Sequence, residues 1–175
     1  MNIGKGSFLN GEIKAIFFDI GGTLVAKTRY AERDSQVIND MVTLLHLDCP
    51  PAELVEEINH GQHAYKTWCE QTLNELSVEE KWTQFLLPDL DHELVMKNAQ
   101  KLQQLWRVSK GNAHVKSTVL PVLSEIDRRG YLLGTISHST PMYLDAPGIA
   151  DLLKVRIHTP EFGKRKPHPS LFVDA

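Results

Sequence analysis

The stretch Ile13-Lys14-Ala15-Ile16-Phe17-Phe18-Asp19-Ile20-Gly21-Gly22-Thr23-Leu24-Val25 constrains the rest of the chain more than any other. Its first residues are almost continuously apolar, with β-branched and aromatic side chains, and they run into an acid, two glycines and a threonine. Such a run predicts a strand buried on both faces, as in a parallel sheet. An acid at the exit of that strand sits on the carboxyl edge, where open α/β sheets bind ligands. The glycines let the backbone turn tightly and bring N–H groups close to an anion. Asp19 is therefore a candidate nucleophile or metal ligand beside a concavity suited to phosphate. Taken alone, the same residues also fit an ordinary turn capped by an acid.

After Val25 the pattern becomes helical. Apolar residues recur at three- and four-residue spacing over residues 30–47 and again over 51–76, with Pro50-Pro51 between the two runs. Gly61 is expected to interrupt or kink the second helix. Ser77-Val78-Glu79-Glu80 has the form of a capping box. Asp91 is placed to cap a helix reaching Trp106, and Lys110-Gly111-Asn112 reads as its C-terminal stop. Residues 27–111 are thus expected to be helices with no strand. Trp68, Trp82 and Trp106 lie at helical spacing and predict packing of those helices, while His60 and His63 predict a solvated face.

The α/β pattern returns at Val115. Residues 119–129 read as an amphipathic helix, 131–136 as a second buried strand and 154–159 as a third. Short helices are expected over 142–146 and 149–153. The whole predicts an α/β protein, a Rossmann-like parallel-sheet core with an all-helical cap inserted after the first strand. On this reading residues 1–26 and 112–175 make the core and 27–111 the cap.

Charge and composition narrow the class. With 19 basic and 22 acidic residues the net charge is -3, and there is no basic block along the chain. Binding to nucleic acid or to a membrane surface through a charged run is not expected. No apolar run approaches a membrane span, and residues 1–12 lack the apolar segment of a signal peptide. Cys49 and Cys69 are the two cysteines, which predicts a reducing, cytoplasmic setting rather than a disulfide framework.

Three strand exits then offer polar groups: Asp19 after the first, Ser137 after the second and Lys166 shortly after the third. A parallel sheet would bring them to one edge. An acid, a hydroxyl and a lysine so placed suit phosphoryl transfer, in which a carboxylate attacks phosphorus and a cation offsets the charge. Read as bland alternatives, Ser137 is a helix N-cap and Lys166 one member of the solvated run Lys164-Arg165-Lys166.

The residues Phe17-Phe18-Asp19-Ile20-Gly21-Gly22-Thr23-Leu24, Ile136-Ser137-His138-Ser139 and Gly163-Lys164-Arg165-Lys166-Pro167-His168-Pro169-Ser170-Leu171-Phe172 resemble the first three motifs of the haloacid-dehalogenase-like (HAD) hydrolase superfamily, in order. The resemblance covers nearly the whole chain. It implies a capped hydrolase, most often a Mg²⁺-dependent phosphatase that works on a small phosphorylated metabolite through an aspartyl-phosphate. Asp19 would be nucleophile and metal ligand, and the Gly21 backbone carbonyl a second metal ligand. Gly22, Thr23, Ser137 and His138 would surround the phosphoryl group, with Lys166 steadying it and Asp19.

The chain departs from that pattern in three places. Family phosphatases usually carry a leaving-group acid two residues after the nucleophile, where Gly21 stands. His138 occupies a position where asparagine is frequent. The fourth motif, a strand ending in acids that complete the metal site, has no counterpart, because Asp174 follows Lys166 too closely. The sequence is therefore expected to be cut short before that motif, with an exposed sheet edge that favours oligomerisation. Two further readings stay open: an inactive binding or regulatory module, and a dehalogenase, which needs neither leaving-group acid nor metal. Sugar kinases also use Asp-x-Gly-Gly-Thr, but between the strands of a hairpin, whereas a helical pattern follows Val25 here.

Overall fold

Strand β1 (Ala15–Phe18) pairs in parallel with β4 (Leu132–Ser137), Ala15 facing Leu132 and Phe18 facing Thr135. In turn β4 pairs in parallel with β5 (Leu153–His158), so the order is β1-β4-β5 and all three carboxyl ends share one edge. This computed structural model describes residues 13–138, 144 and 148–173. The expectations for residues 1–12, for the 142–146 helix, for Ser139 and for Asp174 lie outside them. Central β4 is buried from Leu133 to Ser137, with Leu133 and Ile136 apolar and the small Gly134, Thr135 and Ser137 filling the other positions.

A second, antiparallel pair departs from the expectation of a strand-free segment. Strand β2 (Val25–Arg29) pairs with β3 (Gly111–Val115), Val25 facing Val115 and Arg29 facing Gly111. Residues 25–29 hold two β-branched side chains, Val25 and Thr28, without period-two alternation, so no strand signal stands out before the long helical pattern. Gly111 is not a helix stop. It opens β3 at φ +141°, where a Cβ would lie 2.0 Å from the Thr28 carbonyl oxygen. All the cap helices emerge from the far end of this ribbon.

The cap comprises α1 (Ser35–Leu44), α2 (Pro51–Thr72), α3 (Val78–Lys81), a π-helical turn at Trp82–Leu86, and α4 (His92–Val108). Its ends follow local chemistry. The Asp34 carboxylate accepts from the Gln36 and Val37 N–H groups and starts α1 later than apolar spacing implies. Ser77 and Glu80 form the expected capping box, and Asp91 caps α4. Gly61 does not break α2. It is buried where α2 crosses the π-helical turn, and a Cβ there would lie 2.1 Å from the Phe85 carbonyl oxygen. Glycine here permits close approach of two backbones. Trp82 and Trp106 sit within the cap's hydrophobic cluster with Met41, Ile58 and Leu102, and Trp68 packs against it, while His60 and His63 are exposed.

In the core, α5 (Val119–Arg128) packs Val119 and Leu123 against Leu24, Val25 and Leu133. Short helices α6 (Thr159–Phe162) and α7 (Ser170–Val173) flank the loop that carries Lys166. That loop also meets the cap. Arg165 N–H donates to the Leu73 carbonyl at 2.8 Å, and Glu75 N–H donates to the Gly163 carbonyl at 3.1 Å.

Candidate active site

Parallel pairing puts the ends of β1 and β4 side by side, so Asp19 and Ser137 leave adjacent strands on the same edge. The loop after Asp19 is closed by its own backbone: the Leu24 and Val25 N–H groups both donate to the Ile20 carbonyl at 3.0 Å. The Gly22 N–H donates to the Val25 carbonyl at 2.9 Å, and the Gly22 carbonyl accepts from Lys116 Nζ. Gly21, Gly22 and Thr23 are exposed on this loop. Beyond Gly21 and its two chain neighbours, no atom of a described residue lies within 4 Å of where a Gly21 Cβ would stand, so a side chain there would meet open space first.

Lys166 reaches this edge from 147 residues away in sequence. Its ammonium donates to Asp19 Oδ1 at 2.7 Å and to the Ile136 carbonyl at 3.0 Å, just before Ser137. One cation thus links the first two strand ends. Asp19 is partly exposed beside a cavity of about 340 Å³ lined by Phe17, Phe18, Ile136, Lys166 and Phe172. With Oδ1 engaged by the ammonium, the Asp19 carboxylate keeps its second oxygen for attack. Ser137 is buried at the end of β4.

His138 turns elsewhere. Its Nδ1 lies 3.1 Å from Thr159 Oγ1 and 3.6 Å from Glu75 Oε2, on a carboxylate supplied by the cap. Glu75 is buried and well partnered: it accepts from Tyr65 Oη at 2.7 Å and from Arg165 at 3.1 Å. Burial alone would raise its pKa, but hydrogen bonds from His138 and Tyr65 and the charge of Arg165 outweigh it and hold the carboxyl below its ordinary value of 4.5. The same site pushes the Tyr65 hydroxyl up, through burial first.

The run Lys164-Arg165-Lys166 is not a solvated stretch. Lys164 donates to Asn74 Oδ1 at 2.8 Å, Arg165 to Glu75 and Lys166 to Asp19. Sequence reasoning missed Glu75, Arg165 and Lys116. Glu75 is a lone acid between two helices with no motif around it, and Lys116 lies in the turn after β3, so neither carried a local signal.

The oxygen donors expected for magnesium, the Asp19 carboxylate and the Gly21 carbonyl, are hard ligands of the kind that ion takes. Among the described residues no group of three His, Cys, Asp or Glu side chains could hold a metal ion. No helix there is long and apolar enough to cross a membrane.

No protein-family profile matches the chain, and no curated protein matches it in sequence. Solved structures do match in three dimensions. A 2-haloacid dehalogenase from Pseudomonas syringae pv. tomato DC3000 superposes with a TM-score of 0.57 at 16% identity, over 93% of this chain and 71% of that one. A HAD family enzyme from Bacteroides thetaiotaomicron superposes with a TM-score of 0.51 at 14% identity, over 94% of this chain and 77% of that one. The chain has the HAD-like hydrolase fold, a Rossmann-like parallel sheet carrying a helical cap.

Proposed function

We propose that this chain is a hydrolase of small phosphorylated molecules in which Asp19 is the nucleophile. One observation carries the reading: Lys166 Nζ lies 2.7 Å from Asp19 at the carboxyl edge of the sheet, where β4 also ends on Ser137. Attack by the free Asp19 oxygen forms a new P–O bond as the bond to the leaving alcohol breaks. Lys166 holds the carboxylate in place and offsets the charge brought together. The alcohol takes its proton from water, because Gly21 has no side chain to give one. A second water then attacks phosphorus, releases phosphate and restores the Asp19 carboxylate. Asp19 and the Gly21 carbonyl would hold a Mg²⁺ ion, which supplies further charge neutralisation when bound. Free Cys49 and Cys69 suit a reducing cytoplasmic setting.

The test is hydrolysis of p-nitrophenyl phosphate, with and without Mg²⁺, by the wild type and Asp19→Asn. We expect the substitution to lower turnover at least about 10²-fold. Equal rates, or no turnover by the wild type, would overturn the proposal, the latter in favour of a binding module. Dehalogenation is the second reading, favoured by the open space at Gly21, since a halide leaves without a proton. Halide release from 2-chloropropionate, abolished in Asp19→Asn, would support it.

A further inference from the structure

The base of the cap gathers positive charge around two adjoining cavities. The larger, about 410 Å³, is lined by Lys27, Arg29, Arg33, Arg107 and Lys110, and among the described residues no acidic side chain lines it. The smaller, about 220 Å³, shares Lys27 and Arg107, adds Lys81, and reaches the core at His138, the neighbour of Ser137. Its one acid among the described residues, Glu75, already accepts from Tyr65 and Arg165. In a chain of net charge -3, this assembly is made by folding, from strand β2, the segment before α1, α3 and the end of α4.

Several of these cations are built in place. The Arg33 guanidinium lies 3.2 Å from the centroid of the Trp106 ring and donates to the Trp106 carbonyl at 3.0 Å and to Ser109 Oγ at 2.8 Å. Lys81 Nζ donates to Gln103 Oε1, which also accepts from the Trp82 ring N–H. The Lys27 side chain makes no hydrogen bond or ion pair with any described residue. Burial, with Arg107 and Arg29 close by, lowers the Lys27 pKa. Burial also pushes Lys81 down to about 8, Arg107 adding to it against the pull of Glu75.

We propose that Lys27, Lys81 and Arg107 form an anion subsite that binds a second acidic group of the substrate, whose reacting phosphoryl group lies at Asp19. The substrate class is then a phosphorylated small molecule carrying a carboxylate or a second phosphate. The inference rests on the hydrolase reading above. The cavity that meets His138 is the size of one small acidic group, and Trp106 is covered by Arg33 rather than presented for stacking, so a small anion fits better than a nucleic acid strand.

The test uses phosphonates, which are not hydrolysed, and so does not depend on turnover. Titration calorimetry on the full chain compares alkylphosphonates with ω-phosphonocarboxylates and α,ω-bisphosphonates of the same lengths. At low ionic strength the doubly acidic compounds should bind about tenfold tighter than the plain ones, as one charge-assisted contact provides. The arm with the larger ratio tells carboxylate from second phosphate. In Lys27→Gln the ratio should fall toward one, and Lys27→Arg should restore it. Lys81→Gln should lower it as well, with thermal unfolding confirming that each variant folds. A wild-type ratio near one, a ratio unchanged in both glutamine variants, or tighter binding of a single-stranded oligonucleotide would overturn the subsite. Binding of none of the phosphonates would overturn it too. Asp19→Asn turnover judges the hydrolase reading separately, so either idea can fail without the other.

Discussion

Lys166 bonds both Asp19 and the carbonyl before Ser137, and this double contact gives one residue two duties. It fixes the nucleophile's orientation and supplies charge where a phosphoryl group would sit. The ion pair is partly exposed, with side chains 24% and 39% accessible, so its worth to stability is small, about 0–1 kcal/mol. Lys166→Met is therefore expected to lower kcat about 10²-fold or more while shifting unfolding free energy by no more than about 1 kcal/mol. Steady-state rates and urea unfolding of the same preparation check both halves. A loss of stability that matched the loss of rate would reduce Lys166 to a structural residue. Lys166 was legible in the sequence because its motif is local. Its neighbour Arg165 was not, because its meaning depends on Glu75, 90 residues away.

Among the elements, α2 and the ribbon show where periodicity falls short. Periodicity located α2 and its proline start, yet misjudged Gly61, which reads as a helix breaker in isolation. An exposed glycine in a helix is usually improved by alanine, by about 1 kcal/mol. At Gly61 the sign should reverse, because the new Cβ would meet the backbone of Phe85, which cannot rotate aside. Gly61→Ala is expected to cost about 1–3 kcal/mol, read as a lower urea midpoint with an unchanged slope. An unchanged or raised midpoint would show that α2 and the π-helical turn can separate freely. Ribbon strands β2 and β3 pair residues up to 90 positions apart, from Val25 to Val115, so neither strand has a partner nearby in sequence to announce it. By contrast, the capping residues Ser77 and Asp91 act within a single turn and were readable.

Among the described residues, both the ribbon and the contact of residues 73–75 with residues 163–165 join cap and core. Glu75 is the charged centre of the second joint, meeting Arg165, Thr159 and His138 of the core and Tyr65 of the cap. Its folded pKa lies below the ordinary 4.5, so folding favours the ionised form. The stabilisation is complete above that ordinary value and is lost as pH falls through the folded one. Urea unfolding at about pH 6 and about pH 3.5 should show an acid loss of stability that is smaller in Glu75→Gln than in the wild type. An identical acid loss in both proteins would place the sensitive carboxylate elsewhere. Because residues 163–165 run directly into Lys166, this joint ties the position of the cap to the residue that holds Asp19.

The amino-acid sequence by itself determined the strand that ends on Asp19, the helices and their caps, and the three motifs that converge on one sheet edge. All of these are set by chemistry within a few residues: apolar period, turn glycines and side chains bonding their own backbone. Only the tertiary structure decided that Lys164, Arg165 and Lys166 have three different partners, that Gly61 is a crossing point, and that cations from positions 27, 29, 33, 81, 107 and 110 surround adjoining cavities. The physical reason is the same in each case. Charge and packing act across space, and the sequence shows no basic block because the basic residues are neighbours only after the chain has folded.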